Sequence, residues 1–257
     1  MKGINGAIEM SFSKMETFLE KHIEGFFNRK FASELQFAEI QKDITRIIKR
    51  NRKKVNNGFF VPNYYEVVLG NVDYGRICSR KSREMLHEYI VCTIMREDLF
   101  IDGTLLIKFR KNDKMQKGTC NVLADYKAGE ENTAEVDDVE EKTIVIKKPS
   151  IKETAAMPAE HVYATLTVTA GKDADAHLDL GAQQVHIGRR EENEFLLTDR
   201  NVSRLHAYIA FKKYRHILYD ASSLNGTFVN GKKISTVCLK DGDVIDMGQT
   251  QMVYEVL

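Results

Sequence analysis

One stretch constrains this chain more than any other, because it cannot build a core. Residues 127–160, KAGEENTAEVDDVEEKTIVIKKPSIKETAAMPAE, hold 5 Lys/Arg against 9 Asp/Glu, two of the three prolines and no aromatic residue. So few apolar groups do not offset the entropy lost on ordering the backbone. Folded structure is therefore expected on either side of this stretch. We read an α+β domain over residues 12–126, an acidic flexible linker over 127–160 and an all-β domain over 161–257. The chain's 257 residues suffice for two domains of ordinary size.

The same division resolves the charge. The whole chain stands at +1, but residues 1–126 carry 22 Lys/Arg and 16 Asp/Glu, a net of +6. The linker stands at −4, and residues 161–257, with 11 and 12, at −1. The near-zero total argues against wholesale nucleic-acid binding. No run reaches the ~18–20 apolar residues of a membrane span, and the opening residues lack the apolar stretch of a secretion signal. Cys78, Cys92, Cys120 and Cys238 are scattered without metal-like spacing. They read as reduced, small apolar residues, so a cytoplasmic protein with no metal and no cofactor is expected.

Periodicity assigns the first domain its elements. Met15, Phe18, Leu19, Ile23, Phe26 and Phe27 fall on one helical stripe, with Ser13 and Glu16 as a capping box. A second helix is expected through Phe37, Ile40, Ile44, Ile47 and Ile48, capped by Ser33. GFFVP and YYEVVLG then read as strands, and Asp73 as the cap of a third helix reaching Arg96. TLLIKFR and GTCNVLADY are expected to pair as a hairpin around Asn112-Asp113. In the last 97 residues helical periodicity disappears. Short apolar runs recur every ~8–12 residues between turn residues, the spacing of an antiparallel β-sandwich.

The polar residues of that sandwich gather in its expected loops. Gly188-Arg189 follows one strand, Ser203-Arg204-Leu205-His206 lies in a second loop, and Asn225-Gly226-Thr227 in a third. Arg189 and Arg204 supply guanidinium forks suited to phosphate oxygens, and Ser203 a short hydroxyl donor. Asn225 can both donate to and accept from a peptide backbone. Together they describe a shallow anion site beside a groove for an extended peptide. Paired catalytic carboxylates, an activated nucleophile and a phosphate-gripping glycine loop are all missing from the sequence, so an enzyme is not expected.

These motifs carry a family resemblance. Residues ~163–257 resemble a forkhead-associated (FHA) domain, with GR at 188–189, S-R-x-H at 203–206 and NGTFVNG at 225–231 in the family's order. The resemblance implies that Arg189 and Ser203 bind phosphothreonine phosphate, that Arg204 contacts phosphate or nearby peptide, and that Asn225 holds the peptide backbone. It gives Gly188, His206 and Gly226 structural roles in the site. Leu224 departs from the pattern, since many members carry Ser or Thr before the Asn-Gly, and its presence removes one hydroxyl donor. Residues ~12–126 resemble the N-terminal domain of bacterial FhaA-like proteins, through FLEKHIEGFFNRKFASELQFAEI, FVPNYYEVVL and the following DYG.

The combined resemblance implies a non-enzymatic cytoplasmic adaptor working downstream of bacterial Ser/Thr kinases, in cell-wall synthesis or cell division. Its partners would be phosphothreonine-containing proteins, such as a membrane-associated cell-wall protein or a kinase, with no small-molecule substrate and at most peripheral membrane contact. Thr143, followed by Ile146 at the third position, is a candidate phosphorylation site that could occupy the protein's own FHA domain or a neighbour's. Thr133 and Thr154 are weaker candidates. The run Lys49-Arg50-Asn51-Arg52-Lys53-Lys54 leaves a different function open. It reads first as a solvated helix end. It also suits contact with nucleic acid, with the acidic linker or with an anionic membrane surface.

Overall fold

The computed structural model describes residues 37–55, 58–127 and 161–257. The expected helix over Met15–Phe27, the Ser33 cap, Thr143 and all but the first residue of the linker lie outside the described residues. What is described has an α+β half followed by an all-β half.

In the first half, α1 (Phe37–Asn51) buries Phe37, Ile40, Ile44, Ile47 and Ile48, the stripe read from the sequence. Its end leads into β1 (Lys53–Val55), exposed along its length and antiparallel to β2 (Gly58–Val61). β3 (Tyr64–Leu69) follows and buries Tyr65, Val67 and Leu69 against the helices. The segment expected as one helix is two, α2 (Asn71–Ile77) and α3 (Arg80–Arg96). The chain breaks at Cys78-Ser79, where the Ser79 hydroxyl accepts from the Ser82 N–H at 3.1 Å and starts α3 as an N-cap. Asp73 caps nothing. It is fully buried, paired to Arg76 at 2.9 Å and accepting the Gly118 N–H at 2.7 Å.

The expected hairpin is also corrected. β4 (Leu99–Ile101) pairs parallel to β2. β5 (Leu106–Lys111) and β6 (Cys120–Asp125) do not pair with each other: β3 lies between them, parallel to β5 and antiparallel to β6. The helices supply the crossovers that parallel pairs require.

The second half is a two-sheet sandwich, as its spacing predicts. One sheet has the order β10-β9-β11-β12-β15, the other β14-β13-β16-β17-β7-β8. The first comprises β9 (Val185–Gly188), β10 (Phe195–Leu196), β11 (Ala207–Lys212), β12 (Arg215–Asp220) and β15 (Thr236–Cys238). The second comprises β7 (Ala164–Ala170), β8 (His177–Leu180), β13 (Thr227–Val229), β14 (Lys232–Ile234), β16 (Val244–Met247) and β17 (Thr250–Val256). Alternating burial along β7 and β17 seats Leu166, Val168, Met252 and Tyr254 between the sheets.

The two halves touch, and their buried residues form one connected cluster. Tyr163 stacks on Phe211 at 5.0 Å, and its carbonyl faces the Cys92 thiol of α3 at 3.7 Å. Arg215, only 3% exposed, reaches from β12 to the Leu99 carbonyl at 3.1 Å and the Asp98 carboxylate at 2.7 Å. Lys240 joins Asp98 at 2.6 Å, and the Tyr214 hydroxyl accepts the Leu105 N–H at 2.8 Å.

His216, on β12, is a buried bridge between the sheets. One ring nitrogen meets the Gly181 carbonyl at 2.8 Å and the other the Tyr254 hydroxyl at 2.8 Å. The carbonyl needs the N–H on Nε2, and since burial disfavours the charged ring, Nδ1 is left to accept from the Tyr254 hydroxyl. Burial pushes its pKa down to about 4. The unfolded chain then binds the extra proton first, so this contribution to stability is complete above pH ~6.5 and lost as pH falls toward 4. We expect about 2 kcal/mol less stability at pH 5 than at pH 7.5 from this residue. Urea titrations of wild type and His216→Gln at both pH values check it, since the variant lacks that share of the decline.

Candidate functional site

The loops that carry the motifs meet at the end of the sandwich remote from the first half. β12 runs from Arg215, in the contact with α3 and β4, to Asp220, beneath the loops, a span of about 17 Å. Arg189, Arg204 and Asn225 are exposed there.

Backbone contacts bring the arginines together. The Arg189 N–H donates to the Ser203 carbonyl at 3.0 Å and the Arg190 N–H to the Arg204 carbonyl at 3.2 Å. Gly188 makes this approach possible: a Cβ there would stand 2.5 Å from the Arg204 carbonyl oxygen and 2.9 Å from that of Ser203. Asn193 closes the turn, donating its amide to the Arg190 carbonyl at 3.0 Å and the Arg204 carbonyl at 2.8 Å.

His206 ties the second loop to the third. Its Nδ1 accepts the Ser203 N–H at 3.0 Å, and Nε2 faces the Gly226 carbonyl at 3.2 Å. That pairing requires the neutral ring with the hydrogen on Nε2. Burial, offset in part by the Gly226 carbonyl and the carboxylates of Asp220 and Asp199, lowers its pKa and keeps the ring in that form.

The Ser203 hydroxyl oxygen accepts the Leu224 N–H at 3.0 Å, leaving its own hydrogen to donate outward. Asn225 spends one amide hydrogen on the Asn201 carbonyl at 2.7 Å and keeps its carbonyl oxygen. The Leu224 side chain is 89% exposed beside them. The arrangement can hold a phosphate between a hydroxyl and guanidinium groups, with an amide beside it for an extended backbone.

Several supporting residues were not singled out from sequence. The Asp220 carboxylate accepts from the Ser223 hydroxyl at 2.5 Å, the Ser223 N–H at 3.1 Å and the Thr227 hydroxyl at 2.7 Å. Burial alone would raise its pKa, but these hydrogen bonds more than compensate and hold it below the usual carboxylate range. Ser223 also accepts the Gly226 N–H at 3.0 Å. Asp199 accepts the N–H groups of Asn201 at 2.9 Å and Gln249 at 2.6 Å, fixing the carbonyl that Asn225 uses. The signal was the run Y-D-A-S-S-L-N-G-T, whose Asp and Ser sit at turn spacing ahead of the NG pair.

The basic run Lys49–Lys54 spans the end of α1 and β1. Its aromatic neighbours are already covered: Arg52 lies over Phe59 at 4.7 Å, Lys53 over Tyr126 at 3.8 Å and Lys127 over Tyr64 at 3.7 Å. Each of these rings has a cation on one face, which leaves only the other for a base. Among the described residues no three His, Cys, Asp or Glu side chains are placed to hold a metal ion. No described helix is long and apolar enough to cross a membrane.

Comparison with known proteins agrees with both halves. Residues 12–123 match the family described as FhaA, N-terminal domain, and residues 185–248 match the FHA domain. The oxoglutarate dehydrogenase inhibitor of Corynebacterium efficiens is 34% identical over 91 residues, 35% of this chain and 64% of that protein. The glycogen accumulation regulator GarA of Mycobacterium tuberculosis is 31% identical over 91 residues, 35% of this chain and 56% of that one. The chain thus spans less than two thirds of these relatives. Among solved structures, the FhaA FHA domain complexed with the intracellular domain of Rv3910 is 32% identical, with a TM-score of 0.34. That similarity covers 36% of this chain and 99% of the other. With an FhaA N-terminal domain followed by an FHA domain, the chain belongs to the FhaA-like proteins.

Proposed function

We propose that the chain is a non-enzymatic adaptor that binds phosphothreonine-containing proteins through the loops at the free end of its sandwich. The observation that carries this reading is the backbone lock between Gly188-Arg189 and Ser203-Arg204, which sets two arginines and a polarised hydroxyl on one exposed surface. In this reading Arg189 and Ser203 take the phosphate, Arg204 assists at the phosphate or the nearby peptide, and Asn225 aligns the backbone. The names of the relatives, an inhibitor and a regulator, support a role in control rather than chemistry. The contact with the α+β half leaves the loops uncovered, so that half can act as a platform while the loops engage a partner.

Fluorescence anisotropy with labelled peptides tests the proposal. A degenerate phosphothreonine peptide pool is expected to bind the full chain, the same pool without phosphate to show no saturable binding, and a phosphoserine pool to bind more weakly. Equal binding of the phosphorylated and unphosphorylated pools would sink it.

A further inference from the structure

Gly226 has a neighbour that the motifs do not name. Its φ is +85°, a conformation glycine adopts without strain, and its missing side chain leaves room for a lysine. A Cβ built on Gly226 would lie 2.6 Å from Cε of Lys233 and 3.1 Å from its Nζ. The Lys233 stem therefore lies across Gly226, with the ammonium beside the Asn225–Gly226 segment. Lys233 comes from β14, the edge strand of its sheet, where it pairs with Phe228 in register. It is exposed, and among the described residues its ammonium takes part in no hydrogen bond or ion pair. The loop beneath it is fixed: the Gly226 carbonyl is held by His206, its N–H by Ser223, and the Leu224 N–H by Ser203. A free cation packed along its stem on a rigid loop loses little freedom when it takes an anion.

We propose that Lys233 is a second anion-recognition point of the phosphopeptide site, selecting peptides with an acidic side chain near the phosphothreonine. The inference rests on the phosphothreonine reading above and adds to it a preference among phosphopeptides. Arg189 and Arg204 already provide for the phosphate. Lys233 faces the segment whose Asn225 would hold the peptide backbone, so its charge falls to a flanking residue. An ammonium is a compact point charge with no demand for a planar, forked partner. It therefore suits a carboxylate or a second phosphate alike, and the two sources are separated by experiment.

The test is a glutamate scan. A phosphothreonine peptide with an alanine background receives one glutamate at each flanking position in turn, and a parallel series receives phosphoserine. Affinities for the full chain are read by anisotropy at two salt concentrations. For wild type, glutamate or phosphoserine at one or two adjacent positions is expected to tighten binding by about two- to fivefold, the range of an exposed ion pair. That gain disappears in Lys233→Met, which keeps the stem over Gly226, and returns in Lys233→Arg. Whichever series shows the larger gain identifies the anion. A gain that persists in Lys233→Met overturns the proposal, as does a wild-type scan with no favoured position. A merely structural role would weaken every peptide alike and leave the gain intact, which also counts against it. Failure of the underlying reading looks different, because the alanine-background peptide would then bind equally with and without its phosphate.

Discussion

Arg189→Ala lowers affinity for a phosphothreonine peptide on the order of a hundredfold and leaves the melting temperature unchanged. The two halves of this expectation have separate physical origins. A hydrogen bond to a charged group is worth about 1.5–3 kcal/mol, and a guanidinium can give two to one phosphate. Neither Ser203 nor Arg204 can replace that fork, since one is a single hydroxyl and the other would have to leave its own position. Stability is spared because the side chain is exposed and the structural bond belongs to the backbone, from the Arg189 N–H to the Ser203 carbonyl. Surface truncations of this kind stay within about 0.5 kcal/mol. Calorimetric titration with one phosphopeptide, alongside a thermal melt, reads both quantities. If Arg189→Ala binds as wild type does, the phosphate is held elsewhere. If it melts early, its side chain is structural and the assignment of roles is wrong.

The contrast with His206 shows what the motifs signify. The pattern S-R-x-H joins residues of two kinds. Arg204 is exposed and Ser203 half-buried, whereas His206 lies inside and links the Ser203 N–H to the Gly226 carbonyl. The motif spacing fixes only which residues share a loop; the division between them was what the family resemblance implied. The stripe of α1 was legible, since isoleucines at helical spacing have one way to be buried. Pairing partners were not. β5 and β6 are consecutive strands around an Asn-Asp turn, the usual mark of a hairpin, yet β3 separates them. Local turn chemistry cannot reveal that an earlier strand inserts, because the decision rests on long-range packing against α1 and α3. The helix break at Ser79 was overlooked for the opposite reason: Cys78-Ser79 interrupts the apolar pattern so briefly that Asp73 looked like the better cap. Among buried polar groups, Asp73 and His216 needed the fold, since the Gly118 N–H that Asp73 accepts and the Tyr254 hydroxyl that His216 meets are 45 and 38 residues away.

The contact between the halves was the least legible of all. The aromatic residues that make it, Tyr163, Phe211 and Tyr214, read equally well as the sandwich's own core, and of the polar side chains that cross it, Arg215 is the one buried at 3% exposure. Arg215→Ala is expected to cost about 3 kcal/mol, on a chain of this size a fall of roughly 6–12 °C in melting temperature. Removing the guanidinium deprives the Leu99 and Leu239 carbonyls of their donor in a buried place and opens a cavity beside Phe100, over whose ring it lies at 5.2 Å. The salt bridge itself is the smaller part. Asp98 is 40% exposed, and an asparagine there keeps a carbonyl oxygen to accept from Arg215 while the Leu99 and Leu239 carbonyls hold the rest of the guanidinium, so Asp98→Asn is expected to cost less than Arg215→Ala. Scanning calorimetry distinguishes the two contributions and tests the joint at once. Wild type and Asp98→Asn should melt in one cooperative transition through the shared core, whereas Arg215→Ala should begin to separate into two. Equal effects of the two substitutions would mean that the ion pair, not the buried carbonyl contacts, holds the halves together. An unchanged Arg215→Ala melt would mean that each half is stable without this arginine at the joint.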